Sequence, residues 1–169
     1  MDKSNVRIGI IGVGGRGQAL LRELLSMDDV DIPAVCDLNP KNNDIARGLV
    51  EESGRPRPDT CTAYEELLDR DDIQGVVIST GWRPHLKISL AAMRRGIYAA
   101  PEVGPANSIE ECWELVRTYR KTGIPCMMLE NYCFARDIMA VLNMVRQGLF
   151  GEIIHCEAGY QHELRERLV

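Results

Sequence analysis

The chain has 169 residues, 45% of them hydrophobic and 5% aromatic, with a formal net charge of −5 and an isoelectric point near 5.3. That length supplies one compact core and leaves no room for a second full domain. Its Lys and Arg residues are scattered among acids rather than gathered in a stripe, which argues against nucleic acid and anionic membrane partners. No 18-residue apolar run is present to span a bilayer, and Met1-Asp2-Lys3-Ser4-Asn5 has no apolar signal core, so a cytoplasmic protein is expected.

In chain order, the first element is a buried strand, Val6-Arg7-Ile8-Gly9-Ile10-Ile11, which runs directly into Gly12-Val13-Gly14-Gly15-Arg16-Gly17. A strand turning through G-x-G-x-x-G into a helix is the arrangement that holds a dinucleotide's pyrophosphate. Gly12 permits the tight turn, Gly14 lets the phosphates approach the backbone, and Gly17 lets the helix pack closely on the strand. The helix start near Gly15 offers free N–H groups backed by the helix dipole. Arg16 either flanks the pyrophosphate or is a solvated first-turn residue.

A second apolar run, Ile32-Pro33-Ala34-Val35-Cys36, closes on Asp37, twenty positions beyond Gly17. A carboxylate there accepts from the adenosine ribose hydroxyls and repels a 2′-phosphate, so NAD is favoured over NADP. The competing reading is that Asp37, with Asn39-Pro40, caps the next helix. That helix is expected over 41 to 53, ended by Gly54 and Arg55-Pro56-Arg57-Pro58. After a short strand near Thr60, Thr62-Ala63-Tyr64-Glu65 has the form of a capping box.

Gly75-Val76-Val77-Ile78-Ser79-Thr80 reads as a buried strand, followed by a helix opened by Pro84 and stopped at Gly96. Tyr98-Ala99-Ala100-Pro101 is the fifth strand. Ser108-Ile109-Glu110-Glu111 is another capping box, opening a helix that ends at Gly123, and Pro125 to Leu129 is a sixth strand. An amphipathic helix is expected from Phe134 to Gln147, then an extended strand over Glu152 to Tyr160 with no helix after it. Strands and helices in alternation predict an α/β fold: a Rossmann-type doubly wound parallel sheet. The expected domains are a dinucleotide-binding domain over 1–150 and, over 151–169, the first strand of a second α+β domain whose remainder is absent.

The six cysteines show no C-x-x-C pair, and the three histidines lack zinc-ligand companions, so reduced, buried cysteines and no metal site are expected. The methionines Met127, Met128, Met139 and Met144 read as core.

Several strings together carry a family resemblance: Ile11 to Gly17, Cys36-Asp37, Ser79-Thr80 followed by His85, Pro101-Glu102, and Leu149-Phe150-Gly151-Glu152-Ile153. On these the chain resembles the N-terminal half of the Gfo/Idh/MocA oxidoreductases, which bind NAD or NADP and act mostly on sugars and polyols. Within that family Glu110 to Leu115, Met127 to Asn131, Leu142 to Glu152 and Tyr160-x-His162-x-Leu164-Arg165 look most like the NAD-dependent α-N-acetylgalactosaminidase branch. Most dehydrogenases of the family have Glu-Lys-Pro where this chain has Glu102-Val103-Gly104; the lysine assists deprotonation of the substrate hydroxyl, and Val103 cannot. The family's substrate domain extends well beyond position 169, so the chain looks truncated before it.

The resemblance implies a reaction in which NAD is recycled. Hydride leaves C3 of the sugar, the ketone acidifies the C2 hydrogen, the glycosidic bond breaks by elimination, water adds and the hydride returns. This lies outside the paired-carboxylate scheme of most glycosidases. Glu130, Tyr160 and His162 match the branch's sugar-contacting positions, with Tyr160 and His162 the candidates for catalysis. Trp82, His85 and Glu102 lie at strand ends near the expected nicotinamide, alongside Ser79. Each also has a plainer reading: Trp82 as cover for the sheet edge, His85 as packing or capping, Glu130 as half of a structural ion pair, Tyr160 and His162 as one face of an ordinary strand.

Three hypotheses remain open: the cofactor half of a sugar-active NAD enzyme, a minimal enzyme completed across a homo-oligomer with a sugar or glycoside substrate, or a non-catalytic NAD-binding or oligomerising module pairing through its C-terminal strand.

Overall fold

The computed structural model describes residues 5–159, 161, 163 and 165. They fall into two compact units, Met1–Glu130 and Asn131–Val169, a division twenty residues ahead of the one expected at 150.

The first unit is the doubly wound sheet. Its strands are β1 (Val6–Ile11), β2 (Val30–Asp31), β3 (Ala34–Cys36), β4 (Asp59–Cys61), β5 (Gly75–Ile78) and β6 (Tyr98–Pro101). All paired strands are parallel, in the order β4-β3-β1-β5-β6, with β2 on the N-terminal half of β1. The expected second strand, residues 32–36, is therefore shortened to β3, and β2 just before it pairs separately with β1. Pro33 lies between them and has no N–H for the ladder; its carbonyl instead accepts from Asp59 N at 2.9 Å.

Parallel strands require crossovers, and helices supply them. These are α1 (Gly15–Leu25), α2 (Pro40–Glu52), α3 (Tyr64–Leu68), α4 (Trp82–Arg94) and α5 (Ile109–Thr122). Because successive strand side chains point to opposite faces, adjacent residues feed separate cores. Ile10, Val35 and Val77 pack with Leu21 of α1 and Ala46 and Val50 of α2. Ile11, Cys36 and Ile78 pack with Leu67 of α3 and Ile88, Ala92 and Met93 of α4. The chain leaves β1 for β3 on one side and later reaches β5 on the other, so the strand order reverses at β1. Ligands of open α/β sheets bind at such a reversal, beyond the carboxyl ends of the strands.

Several expectations need correction. Thr62 does not cap α3: the helix begins at Tyr64 after Ala63, one residue too late for the box, and has no side-chain cap. Ser108 does accept from Glu111 N at 3.2 Å, but Glu111 reaches the Asn107 amide instead of completing the box. The expected sixth strand is reduced to one bridge, Ala99 to Cys126, although Met127 N and Leu129 N donate to β6 carbonyls.

In the second unit a 3₁₀ turn, Tyr132–Phe134, precedes α6 (Arg136–Arg146), which starts two residues later than expected. Residues 152–159 form no strand; a strand needs ladder partners for its N–H and C=O groups, and none of these residues makes a β-bridge among the described residues. Tyr160 lies outside the described residues. No described residue from 131 to 159 is buried. Met139 and Met144 there, and Met127 and Met128 in the first unit, are exposed rather than core. Of the cysteines, Cys36 alone is buried, Cys61 and Cys126 are intermediate, and Cys112, Cys133 and Cys156 are exposed.

Candidate functional site

The loop after β1 is latched to its neighbours through Gly12 and Val13. Gly12 N donates to the Cys36 carbonyl at 2.7 Å, and the Gly12 carbonyl accepts from Ser79 Oγ at 2.6 Å. Val13 N donates to Asp37 Oδ2 at 2.8 Å, and the Val13 carbonyl accepts from Gln18 Nε2 at 3.0 Å.

Within this frame the glycines do different things. Gly12 has φ +86°, and a Cβ there would stand 2.6 Å from Thr80 N. A Cβ on Gly17 would overlap the Gly12 carbonyl oxygen and lie 2.8 Å from Ser79 Oγ. Both glycines are therefore demanded by close packing. Gly14 is different, for its Cβ direction opens into space, with Asn42 Nδ2 the nearest atom at 4.0 Å, and that of Gly15 meets nothing.

That opening coincides with the amino end of α1. Its N-cap, Gly14, has no side chain to occupy the first-turn amides, and the first turn carries no acid. By contrast α2 is capped by Asn39 and α5 by Ser108. First-turn N–H groups have no acceptor within a helix, and the dipole concentrates partial positive charge there. The arrangement can hold an anion of two phosphates' size against main-chain donors.

The opening belongs to a cleft of about 460 Å³ over the carboxyl ends of β1, β3 and β5, whose walls include Gly12, Gly14, Asp37, Leu38, Ser79 and Thr80. Half-buried Asp37 faces it. Besides Val13 N, its carboxylate accepts from Asn39 N at 2.8 Å through Oδ1. A carboxylate has about four lone-pair sites, so capacity for hydroxyl donors from the cleft remains. The cap of α2 is Asn39, whose side chain accepts from Lys41 N, while Asp37 holds the amide of that cap residue and faces the cleft.

The remaining candidates separate. Arg16 pairs with Glu102 Oε1 through Nε at 2.8 Å and Nη2 at 2.6 Å, linking the first turn of α1 to the residue after β6. His85 is 0% exposed, with Nε2 3.0 Å from the Thr80 carbonyl and Nδ1 3.2 Å from the Gly104 carbonyl. The sequence left packing and a nicotinamide-side role open for His85; in the fold it is buried between the main chain at Thr80 and at Gly104. The Trp82 ring is exposed and covers Gly104, whose added Cβ would meet Cδ1 at 3.4 Å. Glu130 is half-buried at the end of the first unit. Tyr160 and His162 lie outside the described residues.

Leu38, Thr62 and Pro84 also line the cleft, without having been singled out in the sequence. Their only signal was proximity to strand ends. Cys36 lines it too. Burial, and then the neighbouring Cys61, push its thiol far above the ordinary cysteine range, so it behaves as an inert small hydrophobe. Among the described residues no group of three or more His, Cys, Asp or Glu could hold a metal ion. No helix among them is long and apolar enough to cross a membrane.

Residues 6–130, the sheet and its cleft, match the oxidoreductase family with an NAD-binding Rossmann fold, Gfo/Idh/MocA. The chain belongs to that family. Residues 134–169 of this Gfo/Idh/MocA member match the glycosyl hydrolase 109 C-terminal domain. A glycosyl hydrolase family 109 protein of Stenotrophomonas maltophilia is 43% identical over 95% of the chain and 37% of its own length. An α-N-acetylgalactosaminidase of Shewanella oneidensis is also 43% identical, over 95% of the chain and 36% of its own. The chain thus spans little more than a third of the length of these curated relatives.

Among solved structures, a dehydrogenase from Chromobacterium violaceum superposes with a TM-score of 0.78 at 26% identity, over 88% of this chain and 42% of that one. The scyllo-inositol dehydrogenase of Lactobacillus casei, solved with NAD(H) and scyllo-inositol, gives 0.79 at 19% identity, over 89% and 43%; it shows the shared fold.

Proposed function

We propose that this chain is the cofactor-holding part of an NAD-dependent glycosidase acting on an α-N-acetylgalactosaminide-like sugar. NAD, rather than NADP, is the cofactor of this reading. One observation carries it: the uncapped amino end of α1 and the Asp37 carboxylate face the same cleft. Main-chain amides there suit the diphosphate. A carboxylate suits an unphosphorylated ribose, accepting from its hydroxyls and repelling a 2′-phosphate. Bound NAD would supply the hydride acceptor for a sugar hydroxyl carbon. The relatives named for family 109 and for α-N-acetylgalactosaminidase support the substrate class, and the absence of an acid–base group at Val103 separates the chain from lysine-dependent alcohol dehydrogenases.

In this reading Glu130, Tyr160 and His162 contact the sugar, with Tyr160 and His162 moving protons, while Arg16, Ser79, Trp82 and Glu102 frame the cofactor. The domain starting after position 150 would carry the substrate side, and the cytoplasm, where NAD is plentiful, would be the compartment. Calorimetric titration is the test. Wild-type protein should bind NAD more tightly than NADP, and Asp37→Asn should weaken NAD binding by about tenfold or more, as expected for losing hydrogen bonds to a charged acceptor, while narrowing the gap to NADP. Folded protein that binds neither nucleotide would sink the proposal.

A second reading, an NAD-binding module without turnover, is favoured by the exposed apolar side of the Asn131–Val169 unit, including Leu142, Phe150 and Ile154. Release of p-nitrophenol from its α-N-acetylgalactosaminide by NAD-loaded protein decides between the two, and no release at high protein concentration selects the second.

A further inference from the structure

Asn43 is 4% exposed on the inner side of α2, one turn after the Asn39 cap. Its Nδ2 donates to two main-chain carbonyls, Asp37 O at 3.1 Å and Cys61 O at 2.9 Å. Its own Oδ1 is buried with no hydrogen-bond partner. The two carbonyl acceptors fix the orientation of the amide, because the flipped form would set its oxygen against both.

A buried acceptor left without a donor is unfavourable. Stability of α2 is therefore a poor reason for asparagine here, since alanine would fit the helix without that oxygen. What asparagine does provide is a bracket around one peptide. Asp37 N donates to Cys61 O at 3.3 Å, so the residue is held through its N–H by β4 and through its C=O by Asn43. With its backbone held on both sides, Asp37 presents its carboxylate to Val13 N and Asn39 N, on the wall of the cleft.

We infer that Asn43 is a positioning residue for cofactor choice: by clamping the carboxyl ends of β3 and β4 it aims Asp37 and so sets the preference for an unphosphorylated ribose. The inference rests on the reading of the cleft as the NAD site. Asn43 touches no ligand in it and acts through Asp37 alone.

The test is calorimetric binding of NAD and NADP to wild type, Asn43→Ala, Asp37→Ala and the double variant, with thermal midpoints recorded for each. Wild-type binding of NAD comes first; its absence refutes the cofactor reading, whereas the remaining outcomes address Asn43. Asn43→Ala should weaken NAD about tenfold and NADP less than twofold, with its midpoint within a few degrees of wild type. In the Asp37→Ala background it should change neither affinity, as expected for two residues acting as one unit. Equal weakening of both nucleotides, or an effect that survives removal of Asp37, overturns the inference. Should Asn43→Ala not fold, Asn43→Ser takes its place, and failure of both shows a purely structural residue and overturns it too.

Discussion

Leu21 of α1 and Leu142 of α6 sit on amphipathic helices of eleven residues each, yet Leu21 is 0% exposed and Leu142 39%. Both helices carry an apolar stripe. What differs is the surface offered to it. The stripe of α1 meets β1, whose last residue is only a three-residue loop away, and a core shared with α2. The described residues of the Asn131–Val169 unit contain no sheet. Amphipathicity is a demand for a partner rather than a source of stability, since burial and not periodicity removes apolar area from water.

The strongest way to break the ordered side of this comparison is Gly17→Ala. The added methyl would collide with the Gly12 carbonyl, in a loop whose Gly12 and Val13 groups are all hydrogen-bonded. Overpacking of this kind costs roughly 3 kcal/mol, so the urea midpoint should fall steeply and NAD binding should vanish with it. Gly14→Ala should spare the midpoint, because its Cβ meets open space, and weaken only the nucleotide.

Paired truncations sharpen the contrast between the helices. Leu21→Ala should destabilise by roughly 2–5 kcal/mol, the range for a filled core site, whereas Leu142→Ala should stay within about 0.5 kcal/mol, as for exposed positions. Equal losses in urea unfolding would show that α6 has a buried face in solution.

The smallest effect concerns the ion cluster at the start of β5's neighbourhood. Arg70 reaches both oxygens of Asp72 at 2.7 Å and Asp59 at 2.7 Å. Its hydrogen bonds hold the Asp72 carboxyl below the ordinary range. A lowered folded-state value means the pair stabilises above about pH 3.9, the usual aspartate value, and that this contribution disappears as pH falls through the lowered value. Arg70→Gln should therefore reduce stability at pH 6, by less than about 1 kcal/mol because the pair is partly solvated, and reduce it less at pH 2. Urea titrations at the two pH values check the sign.

The first half of the site was legible because its determinants are local. Gly12, Gly14 and Gly17 declare themselves by spacing after an apolar run, and Asp37 by ending the next one. Asn43 gave no such signal: a polar residue in the first turns of a helix after Asn39-Pro40 looks solvated until β4 brings the Cys61 carbonyl beside it. His85 was ambiguous for the same reason, since Gly104, nineteen residues on, supplies one of the two main-chain carbonyls beside its ring. Pro33 was read as part of the second strand, and its missing ladder donor instead leaves it between β2 and β3.

Alternating apolar runs, punctuating glycines and the Asn39-Pro40 start were enough to set the α/β class, the parallel sheet and the turn that faces the cleft, because each depends on the conformational freedom of a few neighbouring residues. Which carbonyls Asn43 and His85 bind, how Asp37 divides its oxygens, and the pairing of Arg16 with Glu102 were decided only when distant strand ends came together. Hydrogen bonds are short-ranged, and sequence spacing does not report the distances that make them.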